Sequence, residues 1–179
     1  MAKPPRLMIP LIVLLLVTAS SGSSERSVYG SEKVAQFDEI NNEEPIITLQ
    51  RTACLGSCSD YKVSIYDGGT VVYGGRFNVA TTGTVIYTIP VENVEAMLEE
   101  FEKADFISLE DAYAVQVFDM PSTTTVLNLD GAVKKVFRYG VQCGFDIFED
   151  SNYVPEELCH LEAKIDELAN TTILVRGDE

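Results

Sequence analysis
The chain has 179 residues, 46% of them hydrophobic, which is enough apolar material for one ordinary core. Its 13 Lys and Arg stand against 28 Asp and Glu, a formal charge of −15. Such a surface repels phosphate backbones and anionic membranes, so nucleic acid is disfavoured as a partner.

Lys3 and Arg6 precede an apolar stretch centred on Leu11–Val17, followed by Thr18, Ala19 and a Ser/Gly run. This is the pattern of a secretory signal peptide (residues 1–19) cut near Ala19. The run is shorter than the roughly 20 apolar residues a spanning helix needs. Cleavage would give an exported protein, periplasmic or extracellular, with no stable membrane insertion. Retention as an uncleaved anchor is the alternative. Residues 20–44 are Ser-rich and then acidic, the composition of a flexible leader. One domain is expected over 45–175, with 176–179 as a tail.

The domain opens with IITLQRT as a first strand. YKVSIYD then alternates, with Tyr61, Val63 and Ile65 on one face. Asp67-Gly68-Gly69 marks a hairpin turn, and TVVYGGRF is the return strand. Gly74-Gly75 inside it signals a bulge or a close backbone approach. TVIYTI at 84–89 is a fourth strand. Pro90 then suits the first turn of a helix, in which Val91, Val94, Met97, Leu98 and Phe101 follow helical spacing. STTTVLNL and AVKKVFRY, joined by Asp130-Gly131, form another hairpin. From Pro155 a last helix places Leu158, Leu161, Ile165 and Leu168 on one face, with Glu156, Glu157, Glu162 and Asp166 assigned to water. The order β-β-β-β-α-β-β-α implies an α+β fold. An antiparallel sheet of five to six strands would carry two helices on one face.

Chemistry has few carriers in this chain. The single histidine, His160, falls opposite the apolar face of the last helix, and no nucleophile or P-loop motif accompanies it. Cys54, Cys58, Cys143, Cys159 and His160 have zinc-ligand chemistry, but C-x₃-C is not a knuckle spacing. A redox pair would prefer C-x-x-C at a helix start, whereas a strand pattern follows Cys58. In an exported chain, four cysteines read most simply as disulfides, with three possible connectivities. Gly56 lets the 54–58 loop double back, and Cys143 and Cys159 bracket a polar-aromatic insert. The preferred pairing is 54–58 and 143–159, with cross-pairing as the alternative. Closing about fifteen residues is worth about 3 kcal/mol in the chain-entropy model. Asp146, Glu149 and Asp150 lack the spacing of a calcium loop. Asn170-Thr171-Thr172 is a glycosylation sequon, relevant only in a glycosylating host.

Four segments together resemble the bacterial domain-of-unknown-function 6438 family: ITLQRTACLGSCSDYKVSIYDGGTVVYGG, FEKADFISLEDAY, DMPSTTTVLNLDG and PEEL-x₂-LEAKIDELANT. The family's opening motif is matched by Ile47, Leu49, Arg51, Cys54, Gly56, Cys58 and Tyr61, with Ser59 where the family has proline. Its D-x-P-[ST] segment is matched by Asp119, Pro121 and Ser122. The resemblance implies an exported bacterial domain and carries no activity. The segment Val141–Val154 is longer than the family's connection and Cys159 is peculiar to this chain, which supports a private 143–159 staple.

The reading therefore leans away from an enzyme. It expects a disulfide-stabilised binding module with no cofactor or metal, and an unidentified protein or small-molecule ligand in the envelope. The alternatives are a thiol-redox protein using Cys54 and Cys58, and a zinc-stabilised module.

Overall fold
The structure, a computed structural model, describes residues 43–141, 143 and 154–177. The expected signal peptide, the leader up to residue 42, the acidic residues Asp146, Glu149 and Asp150, and residues 178 and 179 lie outside the described residues. No helix among the described residues is long and apolar enough to cross a membrane.

Strands β1 (Ile47–Arg51), β2 (Asp60–Ile65), β3 (Thr70–Phe77), β4 (Gly83–Thr88), β5 (Ala112–Ala114), β6 (Ser122–Leu129) and β7 (Ala132–Tyr139) form one sheet. Their spatial order is β4-β3-β2-β1-β6-β7-β5. Helix α1 spans Val91–Lys103, α2 Glu156–Leu168 and α3 Thr171–Arg176. Pro90 and Pro155 stand one residue ahead of α1 and α2, where their fixed φ and missing N–H cost the helix nothing.

The α+β class holds, but the sheet is larger than expected and mixed. It has seven strands, and β5 lies parallel to β7. Three residues, Ala-Tyr-Ala, are too few for alternation to show. Their place is set from outside, by the β7 edge and by the Phe137 N–H donating to the Asp111 carbonyl. The third helix was also unforeseen. It holds Thr171, Thr172, Ile173 and Val175, β-branched residues of modest helix propensity, in under two turns.

The sheet's inward side is built in register rows. Val71, Ile65, Ile47 and Leu127 lie side by side across four strands. Tyr73, Val63, Leu49, Thr125 and Val136 form the next row. Val94, Met97 and Phe101 of α1 and Leu158, Leu161 and Ile165 of α2 join residues of these rows in one buried core. Both longer helices thus bury their apolar stripes on the same side, which removes that face from water. Phe106 extends the core, edge-on to Phe101 with ring centroids 4.8 Å apart.

Candidate functional site
One step further along the strands the same inward side changes character. The third row reads Gly75, Tyr61, Arg51, Thr123 and Arg138. It ends in glycine for a packing reason: a Cβ at Gly75 would collide with the Thr81 carbonyl oxygen and the Tyr73 ring. The β3–β4 loop crosses there and is held to α3, with the N–H groups of Ala80 and Thr81 donating to the carbonyls of Val175 and Leu174.

Helix α2 answers this row with two carboxylates. Glu162 and Asp166, four residues apart, share a helix face and meet the row together. Arg138 Nη2 donates to Glu162 Oε2 at 2.5 Å, and its Nε donates to Oε1 at 3.3 Å. Arg51 reaches both acids: Nη1 to Glu162 Oε2 at 3.5 Å, Nη2 to Asp166 Oδ2 at 3.0 Å. The Tyr61 hydroxyl donates to Asp166 Oδ1 at 2.7 Å, as does the Thr171 hydroxyl at 2.7 Å. Thr123 Oγ1 accepts from both arginines. Glu162 is only 2% exposed, so its charge depends on these partners.

Burial works against the Arg51 guanidinium, yet Asp166, Tyr61 and Glu162 more than offset it and hold its pKa above the ordinary value. Burial, with the Asp166 charge, also raises the Tyr61 phenol, although Arg51 pulls it down. Tyr61 therefore stays a neutral donor.

This cluster forms one wall of a cleft of about 600 Å³. Cys58, Ser59, Thr52, Pro121 and Ser122 line one rim, and Thr172, Val175 and Arg176 of α3 line another. Cys143 and Cys159 line it as well. The sulfurs pair as Cys54–Cys58 and Cys143–Cys159, with Cα atoms 5.5 and 5.6 Å apart. Gly56, between the first pair, has φ +143°, a conformation that side chains resist. The Leu55 N–H donates to the Asp119 carbonyl at 3.0 Å, which ties the 54–58 loop to the segment entering β6. Asp119 itself has φ 59°, and the Pro121 carbonyl accepts from the Gly140 N–H.

The residues singled out in the sequence therefore gather at one place. Arg51, Cys58, Tyr61 and Pro121 line the cleft, while Cys54, Gly56 and Asp119 shape its rim. His160 lies elsewhere, with its side chain 60% exposed and Nε2 3.4 Å from Glu100 Oε2. With all four sulfurs bridged, no thiolate is present to serve as ligand or nucleophile in this state.

Five members of the site were missed: Thr123, Arg138, Glu162, Asp166 and Thr171. Assigning Glu162 and Asp166 to water was wrong. At about 100° per residue, Glu162 sits only about 40° round α2 from Leu158, within reach of the buried side. The parity of β7 also carried a signal, since Arg138 shares its face with the core residue Val136.

The profile of a family described as "Domain of unknown function (DUF6438)" matches residues 45–169. No curated protein matches the chain.

Proposed function
Since the chain belongs to the DUF6438 family, whose description carries no activity, we propose a function from the site itself: an exported, disulfide-stabilised binding module that holds a small polar ligand in the cleft. The supporting observation is the cleft wall, where two arginines, two carboxylates and a tyrosine are fixed by one another before any ligand arrives. Preorganised polar groups in a concave site lower the entropic cost of binding. The Cys54–Cys58 bridge stiffens the loop beside the cleft, and Cys143–Cys159 ties the chain beyond β7 to α2.

The test is a thermal-shift and NMR screen of small polar compounds on the natively oxidised protein. A binding module shows a saturable rise in Tm with resonance shifts confined to the cleft. Thr172→Trp, at an exposed position on the rim, should abolish both. A screen that leaves the cleft unperturbed would refute the proposal. Export is tested separately, by N-terminal sequencing of protein recovered outside the cytoplasm.

Cys58 on the cleft wall favours one second reading, thiol–disulfide exchange through Cys54 and Cys58. It requires a labile bridge and a thiol of lowered pKa on reduction. A 54–58 bridge that survives a glutathione buffer rules it out.

A further inference from the structure
The carboxylates of the cleft are nearly saturated, while its arginines keep donors in reserve. A carboxylate offers about four lone-pair sites, and a guanidinium five N–H donors. Asp166 already accepts four hydrogen bonds: from Tyr61 and Thr171 on Oδ1, and from Arg51 Nε and Nη2 on Oδ2. Glu162 accepts three, two of them from Arg138 and one from Arg51. Asp166 is therefore saturated, and Glu162, with one site over, is 2% exposed and out of reach of an incoming cation. Arg51 keeps part of its fork unused, and its side chain is 25% exposed toward the cleft. Arg176, exposed on the α3 rim, has no ion-pair partner among the described residues.

Among the described residues, the charged lining of the cleft comprises three arginines against two carboxylates, an excess of one positive charge in a chain of net charge −15. We infer that the cleft is a selective site for a polar molecule presenting a single carboxylate, held between Arg51 and Arg176. This rests on the cleft being a binding site, as proposed above. One excess positive charge matches a monoanion better than a doubly charged phosphate. Guanidinium and carboxylate also share a planar, two-pronged geometry. The acidic exterior repels extended polyanions. It acts weakly on one carboxylate seated against the arginines, because exposed charges are screened beyond about 10 Å. The volume of about 600 Å³ leaves room for a body the size of a sugar ring or a dipeptide beyond the carboxylate. The hydroxyls of Thr52, Ser59, Ser122 and Thr172 along the cleft suit a hydroxyl- or amide-bearing body.

The test follows the arginine Nε–H resonances of isotope-labelled protein during titration with paired probes. D-glucuronate is set against methyl glucoside, and an N-acetyl dipeptide against its C-terminal amide, so the two arms separate a sugar acid from a peptide terminus. Agmatine serves as the cationic probe. In at least one arm the carboxylate is expected to bind about tenfold tighter than its neutral partner, a difference of about 1.4 kcal/mol. Arg176→Gln, on the exposed rim, should remove most of that preference and leave the fold's Tm unchanged. Equal or tighter binding of the neutral or cationic probes in the cleft would overturn the carboxylate assignment while leaving the cleft a binding site. If no probe of any charge moves the cleft resonances, the binding-module proposal itself falls.

Discussion

The first two inward rows of the sheet and the third differ by a single register step, yet they do opposite work. Ile47 and Leu49 are fully buried among aliphatic side chains, where every atom removed from water adds to stability. Arg51, two residues beyond Leu49 on the same strand, enters a cluster of charges that must satisfy one another to be tolerated. The apolar rows hold the fold together. The polar row contributes little net stability but places donors and acceptors at fixed positions beside a cleft.

That contrast can be broken most sharply at Glu162. Glu162→Ala strands Arg138 and Arg51 in a low-dielectric site, and should lower the unfolding free energy by about 3–5 kcal/mol in chemical denaturation. Replacing the four charges together (Arg51→Met, Arg138→Met, Glu162→Leu and Asp166→Leu) should recover most of that loss, since well-packed apolar groups often equal a buried ion cluster. The recovered variant should no longer bind ligand in the cleft. In the apolar rows, Leu49→Ala should cost about 2–5 kcal/mol by leaving a cavity, with no recovery from a second polar change.

The bridges at the rims give the next effect. Cys143→Ser with Cys159→Ser should cost about 3 kcal/mol, and Cys54→Ser with Cys58→Ser about 2, because the second closes a shorter loop. Denaturation midpoints of the two double variants would check the order.

Alkaline pH probes a half-buried tyrosine. Burial pushes the Tyr87 phenol up to about 12, and its hydroxyl donates to the Ala169 carbonyl at 2.5 Å. The unfolded chain ionises near the ordinary value of about 10. A raised folded-state pKa means stability is full below about pH 10 and is lost as pH rises toward 12. Tyr87→Phe should flatten the fall of unfolding free energy over that window by about one proton's slope. The smallest effect is expected inside the second row. Thr125 is 1% exposed and its hydroxyl has no partner among the described residues, so Thr125→Val should stabilise by about 1 kcal/mol, read as a rise in Tm.

Most strands and both long helices were legible because each is long enough to show a period. β6 and β7 run over Ser122–Leu129 and Ala132–Tyr139, the stretches their alternation outlines, joined at Asp130-Gly131 where both residues have positive φ. β5 and α3 were not legible. One has too few residues for a period, and the other has residues whose local preference points away from helix. Half of the site was visible as a motif, since Arg51, Cys54, Gly56, Cys58 and Tyr61 cluster along eleven residues of chain. The other half was hidden by a general rule applied in the wrong place. Charged residues on a helix usually face solvent, and Glu162 and Asp166 do not, because Arg51 and Arg138 wait opposite them.

The sequence alone determined the α+β class, the two hairpins, the inward face of β2 and the chain's strongly acidic character. Those properties depend on period, turn chemistry and charge, all of which are written locally. Only the tertiary structure decided that Arg51 and Arg138 fall in one register row, that α2 lays two carboxylates over it, and that both bridges border the same cleft. Each of those facts joins residues far apart in the chain, such as Arg51 to Asp166 across a separation of 115. No local pattern records such a meeting, because the free energy that selects it comes from pairing charges that burial would otherwise forbid.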